Sequence, residues 1–149
     1  MIKLLELLKE IEEGIEEGIE DIQFISPDDI TGNHERQLNH LEKESGINIL
    51  SDRELTVLAL KNENVVGALY ESSSGNVYTF DVIVDKNEQK RGIGSKLIDI
   101  GLSDYTDFRD IGYPLKLEVV NKNLIPHLLK RGLRIRQKDS GSDVVIMTY

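Results

Sequence analysis

Six consecutive residues, Gln89-Lys90-Arg91-Gly92-Ile93-Gly94, have the composition of a turn that holds phosphate. They follow the apolar run Val82-Ile83-Val84 and precede a helix-like segment over residues 95–102. A turn that leaves a strand and opens a helix aims several unpaired N–H groups, and the positive end of the helix dipole, at one point. Glycine at two positions lets the backbone come close to a ligand. Lys90 and Arg91 add cationic charge, and Ser95 supplies a further N–H. The spacing is not that of a nucleotide loop. A dinucleotide fingerprint needs a third glycine where Leu97 stands, and a P-loop needs Gly-Lys-Ser/Thr where this chain has Ser95-Lys96. A lone glycine pair also serves plain strand-to-helix connections.

Other chemistries are narrowed by residue type. The chain has no cysteine, which excludes disulfides, zinc–thiolate sites and a cysteine nucleophile. His34, His40 and His127 lack metal-ligand spacing and read as surface residues. Two carboxylates interrupt apolar strands. Asp81 lies between Phe80 and Val82, and Glu118 between Leu117 and Val119. Alternation along a strand puts Asp81 on one face with Ile83, and Val82 on the other with Val84. Each carboxylate reads either as an exposed strand residue or as a group that meets an amine.

The loop resembles the acyl-CoA-binding motif of the GNAT family of N-acetyltransferases, Gln/Arg-x-x-Gly-x-Gly/Ala after a Leu-x-Val strand. A second match lies downstream. There the family shows a Leu-x-Val strand followed by Asn-x-x-Ala-x-x-x-Tyr-x-x-x-Gly-Phe, and this chain has Leu117-Glu118-Val119, then Asn121, Leu124, Leu128, Gly132 and Leu133 at the same spacings. The resemblance covers residues 55–149. It implies an α+β, three-layer fold in one domain: a mixed, mostly antiparallel sheet with splayed central strands, flanked by helices. Residues 1–50 would form a mainly helical N-terminal part and 55–149 the acyl-CoA-binding core.

The same resemblance implies an enzyme that moves an acetyl group from acetyl-CoA to a primary amine by direct attack, without a metal. Backbone groups near Ile83 and Val84 would pair with the pantetheine arm. The diphosphate would sit on the N–H groups of residues 91–95 with Gln89, Lys90 and Arg91 around it, so that Gly92, Ile93, Gly94 and Ser95 belong to the site. Asn121 would contact the arm or cap the following helix. Such a transfer needs a proton acceptor for the amine and a proton for the leaving thiolate. Asp81 stands where several family members place an acidic base, and Glu118 is a second candidate. Leu128 occupies the position of the family's proton-donating tyrosine, and leucine cannot donate. Tyr78 and Tyr149 are candidate replacements, whereas His127 would point about 100° away from its helical neighbour. A catalytically weak acyl-CoA-binding module is the alternative reading.

These residues need a scaffold, and the pattern supplies one. Residues 55–60 and 65–70 are β-rich runs joined by Lys61-Asn62-Glu63-Asn64, which predicts a hairpin. A turn over 72–76 leads to a strand over 77–84. Beyond the glycine-rich loop and its helix come a strand over 115–120, a helix over 124–130, and a hairpin formed by 133–136 and 144–148. Ser26-Pro27-Asp28-Asp29 reads as a turn or cap, with a short helix over 35–43.

The first 21 residues carry eight acidic and two basic side chains, net −6 of the whole chain's −9. Within them Leu4, Leu7, Leu8, Ile11, Ile15 and Ile19 form an apolar stripe at helical spacing, with glutamates opposite, although Gly14 and Gly18 weaken a helix there. This acidity reads as a solvated helix face or as an attractor for a cationic acceptor, either a small molecule or a peptide. The net charge argues against a nucleic-acid partner. No apolar run reaches the ~18 residues of a membrane span, and no leader pattern opens the chain. The expectation is a soluble cytoplasmic protein, with a homodimer left open.

Overall fold

The computed structural model describes residues 21–45, 53–89, 92–119, 122–138 and 145–149. The expected helix over residues 4–19, the tip of the last hairpin, Lys90, Arg91 and Asn121 lie outside them. Among the described residues seven strands fall into two sheets. Strands β1 (Ile22–Ile25), β2 (Glu54–Lys61), β3 (Asn64–Ser72) and β4 (Thr79–Val84) form an antiparallel sheet in chain order. Strands β5 (Leu117–Val119), β6 (Arg134–Lys138) and β7 (Val145–Thr148) form a second, in the order β5-β7-β6. Among the described residues the α-helices are α1 (Gly32–Ser45), α2 (Ile93–Asp110) and α3 (Ile125–Lys130). No described helix is long and apolar enough to cross a membrane.

Local chemistry accounts for the connections. The β2–β3 turn places Asn62 and Glu63 at φ +50° and +67°, the positive-φ pair that matches the twist of a two-residue hairpin. Ser26 caps a short 3-10 turn over Pro27–Asp29, its Oγ accepting from Asp28 N at 3.3 Å. At the start of α1, Thr31 and His34 cap one another: Thr31 Oγ1 accepts from His34 N, and His34 Nδ1 accepts from Thr31 N at 3.1 Å. The imidazole fills the role that glutamate takes in a capping box. His34 is therefore buried, which corrects its reading as a surface residue, while His40 is exposed.

Alternation divides the core into two layers. Helix α1 lays Leu38 and Leu41 on one face of the first sheet, against Leu58, Leu60, Val65, Ala68, Tyr70 and Ile83. The opposite face takes α2 and α3, whose Ile93, Leu97, Ile98, Ile100 and Leu128 pack with Phe80, Val82, Leu117, Val119 and Met147. Helix α2 settles close to β4 because residue 101 is glycine. A Cβ there would lie 2.9 Å from ring atoms of Phe80.

Two sequence expectations need revision. β1 falls inside the stretch read as mainly helical; it is only four residues long, and its pairing with β2 supplies what its local pattern does not. Helix α2 runs to Asp110, eight residues past the expected end, although Ser103, Asp104 and Thr106 are poor helix formers. Tyr105 and Phe108 in that added portion stack on Tyr78, so tertiary contact extends the helix.

Candidate active site

Among the described residues the two sheets are bridged at one residue pair. Tyr78 forms a parallel bridge with Leu115: Tyr78 N donates to Pro114 O at 2.9 Å, and Lys116 N donates to Tyr78 O at 3.0 Å. Past this bridge β4 and β5 diverge, and no further rung joins them among the described residues. Tyr78 turns its backbone polar groups toward β5, so alternation turns those of Phe80, Val82 and Val84 to the same edge. The β3–β4 register is unbroken, and Asp85 N donates to Val66 O on the far side, which fits that assignment. Ile83, expected to offer backbone groups to a ligand, directs them toward β3 and buries its side chain beneath α1. Val84 turns its backbone to the open edge, where its carbonyl accepts from Gln89 Nε2 at 3.4 Å.

A cavity of about 560 Å³ opens at the wide end of this wedge. Val82, Val84, Gln89, Gly92, Gly94 and Ser95 line one side of it, and residues of α3 and the turn before it the other. Gly92 takes φ +85°, a left-handed conformation that favours glycine, and no side chain caps the helix there. The N–H groups of Ile93, Gly94 and Ser95 therefore have no intrahelical acceptor. The Ile93 side chain is buried in the core and anchors the helix start. A Cβ on Gly94 would lie 3.4 Å from Val84 Cγ2 and 3.8 Å from Leu124, so the missing side chain leaves room between the two walls. Unpaired donors, a bare backbone and an open strand edge fit a ligand that joins phosphate to an amide-bearing chain.

The α3 wall went unread in the sequence. Leu124, His127 and Arg131 all line the cavity, with Asn123 and Lys130. Their i, i+3, i+7 spacing is that of one helix face and was the available signal. His127 does point away from Leu128, and the direction in which it points is the cavity. Ser95 Oγ lies 3.3 Å from His127 Nδ1 and accepts from Arg131 Nη2 at 3.0 Å.

The candidate catalytic carboxylates share the other side of the wedge. Asp81 lies on the α1 face of β4, away from Val82 and Val84, and is ion-paired with Arg53 Nε at 2.8 Å. Glu118 is exposed, opposite the buried Leu117 and Val119. Leu128 is 2% exposed within the core. Tyr78, a candidate for its role, is fully buried, donates to Gly101 O at 3.1 Å, and burial pushes its phenol well above the ordinary range. Tyr149 is half exposed and stacks on Tyr105; burial raises its phenol too.

Comparison with known proteins agrees with this geometry. The family model described as Acetyltransferase (GNAT) family matches residues 17–126. Escherichia coli ElaA is similar in structure at 15% identity, over 86% of this chain and 97% of that one, with a TM-score of 0.62. Arabidopsis thaliana Naa50, solved in complex with the bisubstrate analogue CoA-Ac-MVNAL, matches at 16% identity over 87% and 98%, with a TM-score of 0.64. The ribosomal-protein-S18-alanine N-acetyltransferase from Escherichia coli matches at 15% identity over 85% and 92%, with a TM-score of 0.58. These likenesses speak to the fold. A search of curated proteins finds no match. Because the family model spans most of the sequence, the chain belongs to the acetyltransferase (GNAT) family and is an enzyme of the acyl-CoA-dependent N-acyltransferase class.

Proposed function

We propose that this enzyme transfers an acetyl group from acetyl-CoA to a primary amine by direct attack of the amine. The observation that carries this reading is the wedge between β4 and β5, clamped at Tyr78 and open above the uncapped start of α2. Acetyl-CoA, when bound, supplies the activated acyl group. Phe80, Val82 and Val84 turn backbone donors and acceptors toward the place of a missing strand, which suits an amide-bearing arm. The first N–H groups of α2 suit its diphosphate. Gln89 lines that end, and Lys90, Arg91 and Asn121 join it on the strength of the family motif.

The acceptor enters from the α1 side, where both carboxylates stand. Asp81 is already engaged by Arg53, whereas Glu118 has no ion-pair partner among the described residues. We therefore assign proton removal from the amine to Glu118, directly or through water, with Asp81 as its rival. The acidic first 21 residues and the chain's net −9 favour a cationic acceptor such as a polyamine, an aminoglycoside-like amine or a lysine-bearing peptide.

One observation favours a second reading, that of an acyl-CoA-binding module with little turnover. The family's tyrosine is replaced by Leu128, which is buried in the core. Incubation with acetyl-CoA and a panel of amines separates the two. Acetylated amine and free thiol appearing in equal amounts are expected. Binding of acetyl-CoA without either product would support the second reading, and no binding at all would sink both.

A further inference from the structure

Arg131 braces the α3 wall. Its guanidinium contacts Asp99 twice, through Nε to Oδ1 and through Nη2 to Oδ2 at 3.1 Å, and Nη1 donates to the His127 carbonyl at 2.8 Å. Asp99 offsets the charge of Arg131, so this pair holds α3 against α2 more than it adds positive potential. The brace also fixes Ser95. A serine hydroxyl has one proton and two lone pairs. Having accepted from Arg131, Ser95 Oγ can still donate to Nδ1 of a neutral imidazole or accept from Nδ1–H of an imidazolium. When Ser95 donates to Nδ1 of the neutral ring, and equally when the ring is an imidazolium, His127 keeps its contact with Ser95 and carries a hydrogen on Nε2. Lys130 follows on the cavity wall, exposed and with no acidic partner among the described residues. A chain of net −9 repels a polyanion at long range, so an anion site on it depends on local donors.

We propose that His127 and Lys130 form a second anion-binding wall opposite the glycine-rich loop, one that takes phosphate groups from the nucleotide half of acetyl-CoA, with Ser95 as a positioning residue for His127. This rests on the acetyl-CoA reading above. The loop supplies backbone donors from α2, and the wall supplies side-chain donors from α3.

The test measures affinity for three ligands, by calorimetry or by NMR titration where binding is weak: acetyl-CoA, its 3′-dephospho form, and S-acetylpantetheine, which has no nucleotide. His127→Gln and Lys130→Gln are each expected to weaken acetyl-CoA binding about fivefold, the size of one partly exposed charged contact. S-acetylpantetheine should be unaffected. Loss for acetyl-CoA but not for the dephospho form assigns the wall to the 3′-phosphate; loss for both assigns it to the diphosphate. Ser95→Ala added to His127→Gln should cost less than Ser95→Ala alone, because the positioning partner is already gone. Wild-type affinity in both single variants would overturn the proposal, and so would an equal loss for S-acetylpantetheine, which would mean disturbed packing of α3. A wild-type protein that binds S-acetylpantetheine as tightly as acetyl-CoA would also overturn it while leaving the transferase reading intact. Failure of the wild type to bind acetyl-CoA at all would remove that reading and this proposal together.

Discussion

Asp81 and Glu118 are both carboxylates between apolar neighbours on a strand, yet their surroundings separate their fates. Asp81→Asn removes the carboxylate that the Arg53 side chain, only 9% exposed, contacts at 2.8 Å. The cost should be roughly 1–3 kcal/mol, below the ~3–5 kcal/mol of a fully buried pair because Asp81 retains some contact with water. Glu118→Gln disturbs no such pair. We expect Asp81→Asn to lower the melting temperature and Glu118→Gln to leave it in place while reducing turnover by on the order of 100-fold near pH 7. The reverse pattern of rates would return the base to Asp81. The glycine-rich loop was legible in the sequence because it is a local pattern: strand, turn and helix follow one another. The Arg53 pair was not, because it joins residues on either side of a hairpin, and the α3 wall was not, because its cavity-facing residues run past both ends of a six-residue helix.

Helix α2 is seated on β4 by the absence of one side chain and brings Asp104 to a buried carboxylate of β3. Gly101→Ala would gain up to ~1 kcal/mol of helix propensity. However, its Cβ would lie 2.9 Å from the Phe80 ring in a close-packed core, and such overpacking costs about 1–3 kcal/mol. Net destabilisation is therefore expected, read as a lower denaturation midpoint. Glu71 on β3 and Asp104 on α2 form a carboxyl pair. Burial, and then the hydrogen bond to Asp104, push Glu71 from 4.5 up to about 9. Between those values the native state keeps a proton that the unfolded chain has released, so stability falls as pH rises. This contribution is complete below pH 4.5 and is lost through about pH 9. Thermal melts from pH 5 to 9 should show a falling midpoint, and Glu71→Gln should flatten the slope; parallel slopes would remove Glu71 as the cause. Strands with clean alternation were readable in the sequence at this scale. β1 and the second half of α2 were not, since pairing and aromatic stacking, not local preference, make them.

At the scale of the molecule, net charge bears on the cationic acceptor proposed above. A body of net −9 should draw polycationic amines and release that advantage as salt shortens the reach of its field, from about 10 Å at 0.1 M to 3 Å at 1 M. The expected result is a kcat/KM for polyamines that falls several-fold over this range while that for a neutral amine barely moves; equal salt dependence would assign the acidity to solubility alone. The order of the six strands from β2 to β7 was legible because two motifs, spaced along the chain, set a common register, whereas β1 was not. The seam between the sheets came from the family resemblance and not from the strands themselves, whose residues do not reveal where pairing stops.

That seam has a consequence for how the molecule can be observed. The edge amides of Val82 and Val84 face no strand partner among the described residues, while the neighbouring Asp81 and Ile83 are locked into the β3 ladder. Adjacent positions on one strand therefore differ in their access to solvent deuterium, and only the edge set can change when the wedge fills. The alternation that hides half of β4 in the sheet makes the other half a built-in gauge of occupancy, readable without a label or a known acceptor.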